Sequence, residues 1–395
     1  LPLPPGGSTE NGYGMFLTNI GDVNGDGADD LAVGASGGDG VVYVMLMKAD
    51  GTVLSVSNIS SSFGAPWSAG EAGGHAIAGL GDLLADGGCA VAITTHIANS
   101  GKGGVHIVFL TPSGGVDPTR PSLFIGDGIA GLSFQPNDHF GLGLSFRRRA
   151  DGTMWLAAGA PGDDDGGSSR GAVYLLELSS VDGGVTGWTK ISSSSDGVPP
   201  DMIADGDTFG HGLSWASDTV LVVGAHPHAE LAGRLFVLRL GEDNAVVSMS
   251  SYAPPDLEAG DRFATTIGYG GDWNGDGIGE VLVSAHTDDG GAGSLYIVFL
   301  TSDGSAVAGV RKINRAADGL DTSVGSGFSH GVTSWSSSVD SQSPTALFVS
   351  GFPFVHRLDL PATVGLGAEL ALTKLAAPVT SVYDSGQFDS SALEL

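Results

Sequence analysis

Basic residues are scarce in this 395-residue chain: 16 Lys and Arg stand against 44 Asp and Glu, a formal net charge of −28. That balance excludes nucleic acid, whose phosphates need clustered Lys and Arg, and anionic membrane surfaces. Cysteine is nearly missing, and Cys89 alone can form neither an intrachain disulfide nor a multi-Cys metal site. No apolar run approaches the ~20 residues of a membrane-spanning helix, so no membrane span is expected. The opening Leu1-Pro2-Leu3-Pro4-Pro5 has neither the charged nor the apolar stretch of a secretory leader. Glutamate is the scarce acid, with 9 Glu beside 35 Asp. Glu builds helices, whereas Asp favours turns, caps and hard-cation sites. Helical periodicity is absent as well.

What is present is glycine, 66 residues without a collagen-like period, and a hydrophobic fraction of 41% that can bury a sizeable core. The chain also repeats itself. A short apolar strand ending in small residues recurs as Leu31-Ala-Val-Gly-Ala35, Val91-Ala-Ile-Thr-Thr95, Leu156-Ala-Ala-Gly-Ala160, Leu221-Val-Val-Gly-Ala225, Val281-Leu-Val-Ser-Ala285 and Leu347-Phe-Val-Ser-Gly351. A strand before it carries an aromatic anchor at Phe16, Phe140, Phe209, Phe263 and Phe328, with Ala76 in that slot in repeat two and Phe388 as a seventh instance. A third strand and a fourth, the latter ending in Asn58-Ile59-Ser60, Lys190-Ile191-Ser192, Lys312-Ile313-Asn314 and Lys374-Leu375-Ala376, complete each unit. The repeats run over 10–60, 70–120, 135–192, 204–252, 258–314 and 322–376, with a partial one at 382–395. Four short strands per unit, bounded by turn residues, predict an all-β fold, a β-propeller of four-stranded antiparallel blades in a single domain.

Between first and second strands, repeat one reads Asp22-Val-Asn24-Gly-Asp26-Gly-Ala28-Asp-Asp30 and repeat five Asp272-Trp-Asn274-Gly-Asp276-Gly-Ile278-Gly-Glu280. A hard Ca2+ ion takes six to eight oxygens, and side chains at positions 1, 3 and 5 can converge on one point. Glycine at position 6 permits the turn, the carbonyls of Ala28 and Ile278 add an oxygen at position 7, and Asp30 or Glu280 closes the cage. An EF-hand would need Glu at position 12, where Val33 and Val283 stand. Two structural Ca2+ sites are therefore expected. The other repeats have lost the motif: repeat two keeps Asp82 and Asp86 but has Leu84 and Ala90 at ligand positions, and repeat three offers Arg147-Arg148-Arg149.

The blocks Asn137-Asp-His-Phe-Gly-Leu-Gly143, Gly159-Ala-Pro-Gly-Asp-Asp-Asp-Gly-Gly167 and Arg170-Gly-Ala-Val-Tyr174 resemble FG-GAP repeats, the units of the integrin α-subunit propeller. The likeness covers nearly the whole chain and is weakest in repeat six. It implies seven blades, whereas counting gives six full units and an orphan first strand, so six and seven both stay open. The calcium loops are similar to those of integrin propellers, from which Glu280 departs by its longer arm.

Other candidates are weaker. Two Gly-x-Ser-x-Gly matches, at Ser36 and Ser169, fall in turns between strands and not on a strand-to-helix elbow, so no enzyme is expected. His96, His226 and His286 follow the second strand; equivalent slots on different blades are expected to point outward, away from any shared metal. With Trp67 and Phe134 from the long connections, they are assigned to a loop face for a protein or glycan ligand. His75, His139, His211 and His330 are placed along the central channel. The turns Asp163-Asp164-Asp165 and Asp288-Asp289 read as solvated, and Asn58 opens one glycosylation sequon. The leading expectation is a non-enzymatic, calcium-stabilised recognition, adhesion or assembly module at the cell surface or outside the cell. A subunit of an extracellular filament or coat, assembling through an exposed C-terminal strand (388–395), and a propeller lectin are the alternatives.

Overall fold

The computed structural model describes residues 12–226, 232–314, 328–336, 346–351 and 354–359. Its strands form six antiparallel sheets, each a meander in chain order. Blade one is β1 (Tyr13–Gly21), β2 (Asp30–Ala35), β3 (Val41–Met47) and β4 (Val53–Ile59). Blade two is β5 (Ile77–Gly81), β6 (Ala90–Thr94), β7 (Gly104–Phe109) and β8 (Leu123–Gly126). Blade three is β9 (Leu144–Arg148), β10 (Met154–Ala160), β11 (Ala172–Leu178) and β12 (Val185–Ser192). Blade four is β13 (Phe209–Trp215), β14 (Val220–Ala225), β15 (Arg234–Leu240) and β16 (Val246–Tyr252). Blade five is β17 (Phe263–Gly271), β18 (Glu280–Ala285), β19 (Ser294–Leu300) and β20 (Val307–Asn314). Blade six contributes β21 (Val332–Trp335), β22 (Ala346–Gly351) and β23 (Phe354–Asp359). Its expected fourth strand at 374–376 and the partial repeat at 382–395 lie outside the described residues.

Second and third strands read as unbroken apolar runs because both of their faces are covered by neighbouring blades. β2 is buried at every position, while β4 on the rim is half exposed. First strands are innermost and meet one another around a central channel. β21 packs directly on β1, and one apolar cluster joins Tyr13 and Leu17 to Trp335 and Phe348. Asn19 N donates to Thr333 Oγ1 at 3.0 Å, and Trp335 Nε1 to the Asp29 carbonyl at 2.7 Å. The ring therefore closes with six blades, against the seven that the integrin resemblance implies.

Blades three to six are each stitched to the one before by the backbone of the aromatic anchor. Phe140 N donates to Lys102 O, Phe209 N to Arg170 O, Phe263 N to Ala232 O and Phe328 N to Ala292 O, at 2.9–3.0 Å. The next residue in each preceding blade is a glycine at positive φ: Gly103, Gly171, Gly233 and Gly293. A Cβ there would strike the incoming Phe carbonyl, so only glycine lets the two backbones meet. An Asp two residues before three of the anchors holds the approach turn, accepting from Gln135 N (Asp138), Ala204 N (Asp207) and Glu258 N (Asp261) at 2.6–2.7 Å.

This seam corrects two anchors. Tyr13 pairs with Ala35 as Phe209 pairs with Ala225 and Phe263 with Ala285, so Tyr13, not Phe16, anchors repeat one. In repeat two the slot belongs to Gly73, which lies against Gly40; a Cβ on Gly73 would strike the Trp67 ring. Trp67 thus fills from the connecting loop the space that an anchor ring fills elsewhere, and Ala76 does not.

After the anchor comes a left-handed residue, glycine in repeats three and four but Ala264 in repeat five, at φ +63° and fully buried. Gly171→Ala is expected to cost about 2 kcal/mol or more through left-handed strain plus the clash. Ala264→Gly, which relieves strain but adds backbone entropy to the unfolded chain, should change stability by less than about 1 kcal/mol. Urea titrations at fixed calcium compare the two; equal losses would remove the seam argument.

Candidate functional site

The two predicted calcium loops adopt one conformation. In repeat one, Asp22 Oδ1 accepts from Gly25 N and Asp26 N at 2.7 and 3.1 Å, and Oδ2 from Gly27 N at 2.8 Å. Asn24 Oδ1 accepts from Asp26 N, and Asp26 Oδ1 from Ala28 N. Repeat five repeats this set with Asp272, Asn274, Asp276 and Ile278 at 2.8–3.2 Å. The closing carboxylates differ. Asp30 is fully buried and accepts from Val23 N and Met47 N, whereas the longer Glu280 accepts from Trp273 N and turns its other oxygen to Asn274 Nδ2 at 3.0 Å. Burial pushes the Asp30 carboxyl up to about 6 and the Glu280 carboxyl up to about 7, with neighbouring Asp side chains adding to both.

Among the described residues none of these six carboxylates has a Lys or Arg partner. The degenerate loop of repeat two does. It keeps the backbone turn, Asp82 accepting from Asp86 N and Gly87 N at 2.9 Å, but Arg120 pairs with Asp86 at 2.8 Å. The arginines of repeat three reach across blades instead of into their own loop. Arg148 donates to Asp82 O, and Arg147 stacks on Trp215 at 3.6 Å while donating to Asn244. Among the described residues no three His, Cys, Asp or Glu side chains are already drawn onto a single point.

Several other candidates sit elsewhere than expected. Trp67 and Phe134, assigned to a ligand face, are core residues at 4% and 1% exposure; Phe134 stacks on Phe140 at 4.2 Å. In the turns expected to be solvated, Asp163 and Asp288 are buried, whereas Asp164 and Asp289 are exposed. Tyr174 Oη donates to Asp163 at 3.1 Å and Lys190 pairs with it at 2.9 Å; Tyr296 and Lys312 hold Asp288 at 2.8 and 2.7 Å. Each Tyr faces its Lys across the third and fourth strands, and in blade one Tyr43 faces Asn58, the half-buried sequon asparagine. The fourth-strand Lys repeat was the sequence signal for these buried pairs.

The histidines gather at one mouth of the channel, a cavity of about 280 Å3 lined by all six first strands. Ring centroids lie 4.4 Å apart for His75 and His96, 5.9 Å for His96 and His139, 6.4 Å for His75 and His211, 5.4 Å for His211 and His226, and 3.8 Å for His286 and His330. His96, His226 and His286 therefore turn inward to meet the first-strand histidines, contrary to the outward orientation expected from their slot. Burial, then the neighbouring His and Arg262 charges, holds the His286 ring down at about 2, and burial holds His330 at about 4.

A family model described as the FG-GAP repeat matches residues 18–45, the stretch from β1 through the first calcium loop to β3. One FG-GAP repeat thus lies within a six-bladed β-propeller. No curated protein matches it. Among solved structures it is similar to the Dos1 propeller, at 14% identity and a TM-score of 0.40 over 81% of this chain; it covers 64% of that one, less than two thirds of its length. It is also similar to the periplasmic gluconolactonase PpgL of Pseudomonas aeruginosa, at 15% identity and a TM-score of 0.42, over 73% of this chain and 67% of that one. No helix among the propeller's described residues is long and apolar enough to cross a membrane.

The buried rings make stability depend on pH. His286, 2% exposed, stays neutral in the fold, while the unfolded chain takes a proton near the ordinary 6.5. Its contribution is complete above pH 6.5 and is lost as pH falls below it, by up to about 1.4 kcal/mol per pH unit. Denaturant titrations at pH 7.5, 6 and 5 should show a steeper loss in the native chain than in His286→Asn. Parallel slopes would contradict the assignment.

Proposed function

We propose that this propeller is a non-enzymatic recognition or assembly module whose hairpin loops in blades one and five each hold a structural Ca2+, and that it works at the cell surface or outside the cell. The observation that carries the reading is the pair of matching loops, each with three carboxylates at ligand positions and, among the described residues, no Lys or Arg paired with them, beside a third loop that lacks two of the ligand residues and pairs Asp86 with Arg120. Asp22, Asn24 and Asp26, the Ala28 carbonyl and Asp30 would supply the oxygens of one site; Asp272, Asn274 and Asp276, the Ile278 carbonyl and Glu280 those of the other. Calcium bound there neutralises like charges in a tight turn and favours the native state by mass action. Loops of this kind suit the millimolar calcium of extracellular fluids.

Recognition fits the same picture. Ser36 and Ser169 lie in turns between β-strands and not on the strand-to-helix elbow that gives the Gly-x-Ser-x-Gly pattern its meaning. The partner is a protein or a glycan. Trp67 and Phe134, assigned to that partner, are buried, and the strand that favoured a filament lies outside the described residues.

Thermal melts with and without chelator test the calcium reading. At calcium one hundred times the dissociation constant, each site adds about 2.7 kcal/mol. The melting temperature should drop on chelation, and Asp26→Asn with Asp276→Asn should abolish most of that drop while Asp163→Asn leaves it. An unshifted melt would rule the sites out.

A further inference from the structure

Where blades one and five close their loops with a carboxylate, blade three has exchanged acceptors for donors. Trp155 precedes the second-strand Leu156 as Asp30 precedes Leu31 and Glu280 precedes Val281, and Arg147 lies opposite Trp155 in register. Arg147 crosses to blade four, where it stacks on Trp215 at 3.6 Å. Its Nη2 donates to Asn244 Oδ1 at 2.8 Å, and the same oxygen accepts from Arg149 Nη2 at 2.8 Å. Arg147, Trp215 and Asn244 are each more than nine-tenths buried. Yet Arg147 Nε and Nη1, Asn244 Nδ2, Trp215 Nε1 and Trp155 Nε1 are all buried without a hydrogen-bond partner. Every one of these five atoms is a donor. Among the described residues no carboxylate pairs with Arg147; Asp218 and Asp151 act on it only at longer range. Arg149, 5.7 Å from the centre of the Trp155 ring, adds a second positive charge.

We propose that Arg147, Trp155, Trp215 and Asn244 form a binding site for a small monovalent anion between blades three and four, for which chloride and bromide are the probes. A buried guanidinium without a counter-charge and a set of donors without an acceptor are both costly, and one anion answers both. The Trp215 ring offsets part of the charge through its face but takes none of the orphaned N–H groups. A water molecule would bring two donors of its own to a place where Asn244 Oδ1 is already taken twice. It would also leave the charge standing. Because the donor atoms are shut off from solvent, the occupant is a small enclosed ion and not the carboxylate of a longer ligand. Held by donors from both blades, it would tie their packing to anion concentration. The site shares no residue with the loops of blades one and five.

The test uses the full chain at fixed calcium and fixed ionic strength, with chloride exchanged against gluconate, an anion too large for the enclosure. The calorimetric melting temperature should rise saturably, by about 1–2 °C when chloride reaches ten times its dissociation constant. Arg147→Met, which fills similar space without the charge, should abolish the rise. Trp215→Phe, which keeps the stack and removes one N–H, should weaken the apparent affinity about tenfold or more. Arg148→Gln, at the exposed neighbour, should leave it unchanged. Crystals grown in bromide should show anomalous density among Arg147, Trp155, Trp215 and Asn244. Water alone at that position, bromide there without a saturable shift in solution, or a shift unchanged in Arg147→Met would overturn the proposal. So would saturation by acetate but not by bromide. Should Arg147→Met fail to fold, the bromide density and the chloride titration of the unaltered chain decide together.

Discussion

The rest of this propeller hangs on the close approach of two backbones at the seams between blades; in blades three to six the incoming anchor donates its N–H to a loop that a left-handed glycine opens. A propeller must join blades that share no sheet hydrogen bonds across their faces. Here van der Waals packing of apolar second and third strands supplies the area, and the seam supplies register. The bond fixes where the first strand enters, and therefore what stands at each end of the channel. The calcium loops emerge at one end of the first strands and the histidines at the other because both are placed by that entry point.

The same constraint explains why one repeat can degrade without loss of the blade. Repeat two has no anchor ring, yet Trp67 reaches from the connecting loop to cover Gly73, donating its Nε1 to the Asp39 carbonyl at 3.1 Å. Its loop keeps the turn of the loops in blades one and five while pairing Asp86 with Arg120. Charge is compensated in each case, by a side chain within the fold or, on the reading advanced above, by an ion.

Much of this was legible in the sequence. The six apolar second strands and the turns of the two nine-residue loops follow from periodicity and spacing, because turn chemistry and burial are local. What escaped was whatever depends on contacts between repeats. Tyr13 was passed over for Phe16 because alignment favours the identical residue, while register follows the Gly after it. Trp67 and Phe134 looked like surface aromatics because they lie in long connections, yet Trp67 covers Gly73 where an anchor ring is missing and Phe134 stacks on the anchor Phe140. Asp163 and Asp288 looked solvated because their partners, Tyr174 with Lys190 and Tyr296 with Lys312, sit on other strands. The histidine mouth was invisible for the same reason: its rings come from different repeats and meet only once the ring closes.

Most of the acidity serves turns and surface, since only six of the 44 acidic side chains stand at ligand positions in the two loops. That separates designated cation sites from a diffuse negative field, and stoichiometry distinguishes the two most directly. Calorimetric titration of chelator-stripped protein with Ca2+ at physiological salt should saturate at about two ions per chain. A flat titration, or weak uptake that never saturates, would contradict the central claim.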